Sequence, residues 1–94
     1  MKSVIIWGAG PVGKAFAKEF VRQGIRVRAF IDLDPRKIGQ TIHGAQVLAP
    51  PQLRTYGRDT FIVAAVSGAR PRSEIRAALT VEGRRELCDF VAVA

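Results

Sequence analysis

Hydrophobic positions change rhythm several times along the chain. Lys2 to Trp7 (KSVIIW) is a short β-branched run stopped by Gly8, the pattern of a buried strand. From Val12 the period lengthens. Val12, Phe16 and Phe20 recur every fourth residue beside Ala15 and Ala17, while Lys14, Lys18 and Arg22 take the opposite face. That spacing predicts an amphipathic helix of about twelve residues, and Gly24 supplies its stop. Val27 to Ile31 (VRAFI) reads as a second strand ending at Asp32. Asp34 followed by Pro35 marks a cap with proline at the first helical position, which predicts one helical turn over Pro35 to Ile38 closed by Gly39. A turn at His43-Gly44 precedes a third strand at Gln46 to Leu48, broken by Pro50 and Pro51, and Gln52 to Tyr56 reads as a brief helix ended by Gly57. Thr60 to Val66 (TFIVAAV) carries no charge, as a central strand covered on both faces requires. Pro71 restarts a helix with Ile75 and Leu79 on one face, Gly83 ends it, and Phe90 to Val93 (FVAV) supplies the last strand. Strands alternating with helices are joined by right-handed crossovers. The expected architecture is therefore a small α/β domain with a parallel sheet of about five strands and helices on both faces.

Composition narrows the class. Ninety-four residues leave room for one domain, residues 1–94, with one modest core. The 48% apolar and 24% charged shares are those of a folded globular chain, which excludes disorder and collagen-like character. A single cysteine, Cys88, forms no internal disulfide, and with one histidine, His43, it makes no four-ligand zinc set. The first residues lack a secretory apolar region, and no apolar run approaches the roughly 20 residues of a membrane span, so a cytoplasmic location is expected.

The glycine loop carries the chemistry. Gly8-Ala9-Gly10-Pro11-Val12-Gly13 satisfies G-x-G-x-x-G directly after one expected strand and at the start of the expected helix. An acid, Asp32, stands nineteen residues after Gly13 at the end of the second strand. In that setting the pattern reads as a nucleotide-binding fingerprint, with a tight turn from strand to helix alone as the plainer alternative. Gly8 permits the tight turn, Gly10 lets a pyrophosphate approach the backbone, and Gly13 lets helix and strand pack closely. The helix N-terminus presents unpaired amides and partial positive charge to the anion. Pro11 removes one donor, leaving the amides of Val12 and Gly13 among the expected contacts. Asp32 is expected to accept hydrogen bonds from ribose hydroxyls and to repel a 2′-phosphate, favouring NAD or a simple nucleoside diphosphate over NADP. Arg36 and Lys37 lie close enough to meet an extra phosphate, but read more simply as solvated turn residues.

Ligands in open parallel sheets sit beyond the carboxyl ends of the strands, so Ser67, Gly68, Ala69 and Arg70 are expected to line the other side of the crevice, with Ser67 and Arg70 as binding candidates. Trp7 reads as core, with a second reading as a pocket wall. Cys88 reads as structural. His43 has no matching acid or nucleophile, and no catalytic triad, carboxylate pair or metal cluster stands out. The net charge of +7 calls for an acidic partner. Arg70, Arg72, Arg76, Arg84 and Arg85 read as a solvated basic surface, which places nucleic acid last among the partners.

The segments VIIWGAGPVGKAFAKEF and AFIDLDPRKIGQTIHGAQVLAPPQL resemble the small Rossmann-like N-terminal domain of bacterial sugar O-acyltransferases and related polysaccharide-biosynthesis proteins, and similar domains fused to bacterial glycosyltransferases. The resemblance runs from about Val4 to Leu53 and is most specific in Asp32-Leu33-Asp34-Pro35, Lys37-Ile38-Gly39 and Ile42 to Leu48. It implies a nucleotide-sugar site at Gly8, Gly10, Gly13 and Asp32. Acetyl transfer in that family belongs to a separate hexapeptide-repeat β-helix, and this chain carries no such repeats, so no catalytic residue is assigned. Related domains bind CoA or dinucleotides. The expected function is a nucleotide-binding module for a nucleotide-sugar, NAD or CoA-type ligand in sugar metabolism, working as a homo-oligomer or beside a transferase. The alternatives are a minimal NAD-dependent oxidoreductase, which would need a substrate domain and proton donor, and a ligand-sensing regulatory domain.

Overall fold

A computed structural model describes residues 3–57, 59–66 and 69–93. The strands are β1 (Ser3–Trp7), β2 (Arg26–Ile31), β3 (Thr41–Ile42), β4 (Ala45–Leu48), β5 (Phe61–Ala65) and β6 (Phe90–Val93). The helices are α1 (Pro11–Arg22) and α2 (Ala69–Val81), with a 3-10 helix at Pro50–Thr55. The sheet has six strands in the order β3-β4-β2-β1-β5-β6, parallel throughout except for β3 against β4. The expected α/β class and parallel sheet are therefore present.

Strand alternation sorts the apolar runs into two cores. Val4, Ile6, Phe30, Val63 and Ala65 face one side, where α1 covers them with Ala17, Val12, Phe16 and Phe20. Ile5, Trp7, Ala29, Ile31, Ile62 and Ala64 face the other, under Ile75 and Leu79 of α2 and Leu53 of the 3-10 helix. Helices thus lie on both faces, as the period change at Val12 and at Pro71 requires.

Three local expectations are corrected, and a fourth gains detail. His43 (φ 49) and Gly44 (φ 81) form a two-residue hairpin turn with both residues left-handed, which adds β3 as an antiparallel edge strand and makes the sheet six-stranded. Pro35 to Gly39 holds the expected single helical turn, with the Ile38 amide donating to the Asp34 carbonyl at 3.2 Å, and is stapled to β4 by the Gly39 amide donating to the Val47 carbonyl at 2.8 Å. The helix placed at Gln52 to Tyr56 starts earlier, on Pro50 and Pro51, and is a 3-10 helix: prolines have no amide to offer, and a first turn needs none. The last helix begins at Ala69, with Pro71 in its first turn rather than at its first position.

The amino end of the sheet is closed by two arginines. The β1/β2 register skips at Val4/Ile5, leaving Arg28 as the extra residue of a bulge. Its guanidinium donates to the buried Thr60 hydroxyl at 2.9 Å and lies 5.0 Å from the centre of the Tyr56 ring. Arg84, assigned by sequence to the solvated basic surface, is only 5% exposed. It donates to the carbonyls of Thr60 (3.3 Å) and Tyr56 (3.2 Å), tying the segment after α2 to the segment before β5. Cys88, read as structural, is exposed in a turn. Among the described residues no helix is long and apolar enough to cross a membrane.

Removing the Arg84 guanidinium leaves buried carbonyls without donors. Arg84→Ala is expected to cost about 2–4 kcal/mol and lower Tm by roughly 10 °C or more in a thermal melt. Removing Arg85, which is exposed, is expected to leave the melt within about 2 °C of wild type.

Candidate functional site

Connections run outward in opposite directions from the centre of the sheet: β1 through α1 to β2 on one side, β5 through α2 to β6 on the other. The helices that follow β1 and β5 therefore lie on opposite faces, and a crevice opens at the carboxyl ends of the central strands. Each glycine of the loop has its own steric reason there. Gly8 adopts φ +124°, and a Cβ on it would stand 2.5 Å from the Ala65 carbonyl oxygen at the end of β5. A Cβ on Gly13 would fall on the Gly8 carbonyl oxygen, so this residue sets how closely α1 approaches β1. Gly10 is different. Its backbone is extended (φ −86°, ψ −169°), and the nearest atom to a Cβ there would be Lys37 Nζ at 3.8 Å. Gly8 and Gly13 are thus demanded by packing, whereas Gly10 faces open space.

The helix start has no side-chain cap, and the Lys14 amide is the first to bond back, to the Gly10 carbonyl at 2.9 Å. Val12 and Gly13, as first-turn residues, have no acceptor within the helix. The Ala9 amide is already engaged: it donates to Asp32 Oδ2 at 2.9 Å, while Oδ1 accepts the Asp34 amide at 2.9 Å. Asp32 is therefore a clasp between the glycine loop and the turn after β2, with lone pairs left for further donors.

Two adjoining cavities fill the crevice. A cleft of about 180 Å³ is lined by Gly8, Gly10, Pro11, Val12, Asp32, Lys37, Ala65 and Val66. A slot of about 240 Å³, predominantly apolar, shares Gly8, Asp32 and Val66 with it and adds Trp7, Leu33, Pro50, Pro71, Glu74, Ile75 and Ala78. Trp7 is both things expected of it, a buried core residue (5% exposed) and a pocket wall. Leu33, 69% exposed, has no role in the core.

The structure brings Gly8, Gly10, Pro11, Val12 and Asp32 together at the cleft, with Ala9 and Gly13 behind it. Ser67 and Gly68 lie outside the described residues. Arg70 lines neither cavity; its side chain is 91% exposed on the first turn of α2 and pairs with Glu74 at 3.2 Å. Lys37, read as a solvated turn residue, is half-buried and overhangs the glycine loop. The signal was present in Lys37-Ile38-Gly39: Ile38 packs into the α1-side core and Gly39 bonds to β4, and that anchorage aims Lys37 at the cleft. Arg36 is diverted away. It forms a bidentate pair with Asp34 (3.1 and 3.0 Å), and those hydrogen bonds, with the Arg36 amide, hold the Asp34 carboxyl below its ordinary range. Glu19 is lowered in the same way, chiefly by Arg22 and then by Gln23, on the exposed side of α1. Among the described residues no cluster of histidine, cysteine or acid could hold a metal ion.

A glycine loop crossing from the central strand to a helix, an acid at the end of the neighbouring strand and a crevice where the chain reverses direction define a Rossmann-like domain. Residues 1–85 match the C2185-like N-terminal family, and the chain belongs to it. It is 32% identical over 73 residues to the redox-sensing transcriptional repressor Rex of Maridesulfovibrio salexigens, covering 76% of this chain and 35% of the repressor. Among solved structures, it superposes over its full length on RSP, a Rex-family repressor, in complex with β-NADH, with a TM-score of 0.74 at 17% identity and 54% of that chain covered. UDP-D-quinovosamine 4-dehydrogenase from Vibrio fischeri gives a TM-score of 0.73 at 24% identity, over 99% of this chain and 78% of the enzyme. The structural likenesses establish the fold. The chain spans about a third of the curated repressor and about half of the solved one. What the sequence resemblance to sugar-acyltransferase domains shares with these likenesses is the Rossmann-like fold.

The two kinds of glycine separate on substitution. Gly13→Ala is expected to lose roughly 2–4 kcal/mol, because backbone must move to admit the methyl group. Gly10→Ala should change stability by at most about 1 kcal/mol, since its Cβ meets nothing rigid. Urea unfolding of the two variants beside wild type measures both.

Proposed function

We propose that this domain binds NAD(H) in the crevice at the carboxyl ends of β1, β2 and β5. The observation that carries the reading is the meeting of three features in one cleft: the open backbone at Gly10, Lys37 Nζ above it, and the Asp32 carboxylate at its edge. The diphosphate lies over Gly10, with the Val12 and Gly13 amides and the helix dipole below it and Lys37 as counter-charge. The adenosine ribose hydroxyls donate to the remaining lone pairs of Asp32, and the base enters the apolar slot between Leu33 and α2. A 2′-phosphate would meet the Asp32 carboxylate, and Arg36 is committed to Asp34, so NADPH is a poorer ligand. Ser67, adjoining Val66, retains its sequence-based candidacy at the far side of the diphosphate.

The likeness to a redox-sensing repressor and to a repressor solved with β-NADH supports a dinucleotide, and makes preference between NADH and NAD⁺ the property to measure. A nucleotide-sugar is the second reading, favoured by the likeness to the UDP-D-quinovosamine dehydrogenase and by the resemblance of the DLDP–KIG–IHGAQVL segments to sugar-transferase domains. Occupancy of the site, sensed by a partner domain or a second copy, is the output we assign. No hydride transfer is assigned to the chain itself.

Trp7, the only tryptophan, lines the slot and reports on it directly. Titration with NADH, NAD⁺, NADPH, UDP-glucose and CoA is expected to give a saturable fluorescence change with NADH, weaker by at least about tenfold with NADPH. At one hundred times its Kd, NADH should add about 2.7 kcal/mol in a thermal shift. Lys37→Ala should weaken NADH by about tenfold through loss of one charge-assisted contact. Gly10→Val should abolish the change while the melt stays within a few degrees of wild type. Saturation by UDP-glucose alone would transfer the assignment to nucleotide-sugars, and full NADH affinity in both variants would remove it from the glycine loop.

A further inference from the structure

We infer that Glu74 reads the base of the bound nucleotide, accepting a hydrogen bond from the exocyclic amine of adenine and so selecting adenine nucleotides over those carrying hypoxanthine or uracil. The inference rests on the dinucleotide reading above and extends it to base specificity.

Pro71, Glu74, Ile75 and Ala78 recur at i, i+3, i+4 and i+7 and form the stripe of α2 that faces the slot. Three of the four are apolar, as a wall for a flat aromatic base requires. Glu74 is the exception. Among the described residues the slot has one other ionisable residue, Asp32, and that carboxylate lies on the side shared with the diphosphate cleft, with each oxygen already accepting a backbone amide. Glu74 is therefore the charged group on the part of the slot that the cleft does not share. Arg70, one turn earlier, donates from Nε to its Oε1 at 3.2 Å in an exposed pair. Among the described residues nothing engages Oε2, which leaves an acceptor at the solvent-facing rim of an apolar cavity.

An ionised carboxylate only accepts hydrogen bonds. Adenine offers it the N6 amine. Hypoxanthine places an oxygen at the same ring position, with its N1–H donor one ring atom away, and uracil sets its N3–H between two carbonyl oxygens. Where adenine presents N6, the acid then faces a like partial charge, and those bases must shift in the slot to offer it an N–H. Arg70 thereby acquires a role that sequence placement in the crevice did not suggest, as the residue that positions the acceptor rather than one that touches phosphate.

The test compares NADH with its hypoxanthine analogue, which replaces the amine by a carbonyl and adds a proton at N1, using Trp7 fluorescence and calorimetry on wild type, Glu74→Ala and Glu74→Gln. Wild type is expected to favour NADH by about tenfold. In Glu74→Ala the ratio should fall to about one, through weaker NADH binding with the analogue unchanged or improved. Glu74→Gln should give an intermediate ratio, because its amide can accept from adenine and donate to hypoxanthine. Equal affinities in wild type, or a preference that survives Glu74→Ala, would overturn the role of Glu74 while leaving the dinucleotide site in place. Failure of both nucleotides to bind wild type would overturn the dinucleotide reading, and the base-reading role with it.

Discussion

The contact between the Gly13 Cα and the Gly8 carbonyl is the constraint on which the rest of this domain depends. It lets α1 lie against the end of β1 with no side chain between them, closer than any Cβ would permit. That proximity points the first turn of the helix at the crevice, brings Val12 and Pro11 to its lip and leaves Gly10 at its open face. Gly8 completes the arrangement from the other side, where β5 ends against it. A wider separation would still permit a sheet covered by helices. It would not place helix amides, an acid from β2 and a lysine from the following turn around one small volume.

Asp32, proposed as a ribose contact, is also a structural residue. Its two oxygens fasten the Ala9 and Asp34 amides, so the loop that would carry phosphate and the turn that carries Lys37 are held in fixed relation by one side chain. An alanine at this position would therefore disturb the loop itself as well as any ribose contact. Asparagine keeps one acceptor but sets an NH2 group against the other backbone amide, so it too loosens the clasp. At the opposite end of the sheet Arg28 and Arg84 perform a purely structural task, satisfying Thr60 and Tyr56 where the strands begin.

Much of the architecture was legible in the chain because strand and helix periods differ. β1, β5 and α1 follow directly from KSVIIW, TFIVAAV and the Val12, Phe16, Phe20 repeat. The glycine loop and Asp32 were equally visible, since each answers a local requirement tied to sequence spacing. Less visible were β3, which exists only because His43 accepts a left-handed conformation beside Gly44, and the 3-10 helix begun by two prolines. Neither carries a periodic signal, and both are settled by the strands and core they pack against. Arg84 looked like one of several surface arginines because nothing in sequence distinguishes a buried guanidinium from a solvated one.

By itself the amino-acid sequence determined the order of elements, the two faces of the sheet and the glycine loop with its acid, because these rest on side-chain periodicity and on where a Cβ is absent. Only the tertiary structure decided which cation overhangs the loop, which arginine is buried and which acid faces the apolar slot. Lys37 and Arg36 are neighbours in the chain, yet one is aimed at the cleft by the anchorage of Ile38 and Gly39 while the other is taken up by Asp34. Charge on a flexible side chain has no direction until the backbone beneath it is packed, and that packing is supplied by residues distant in sequence.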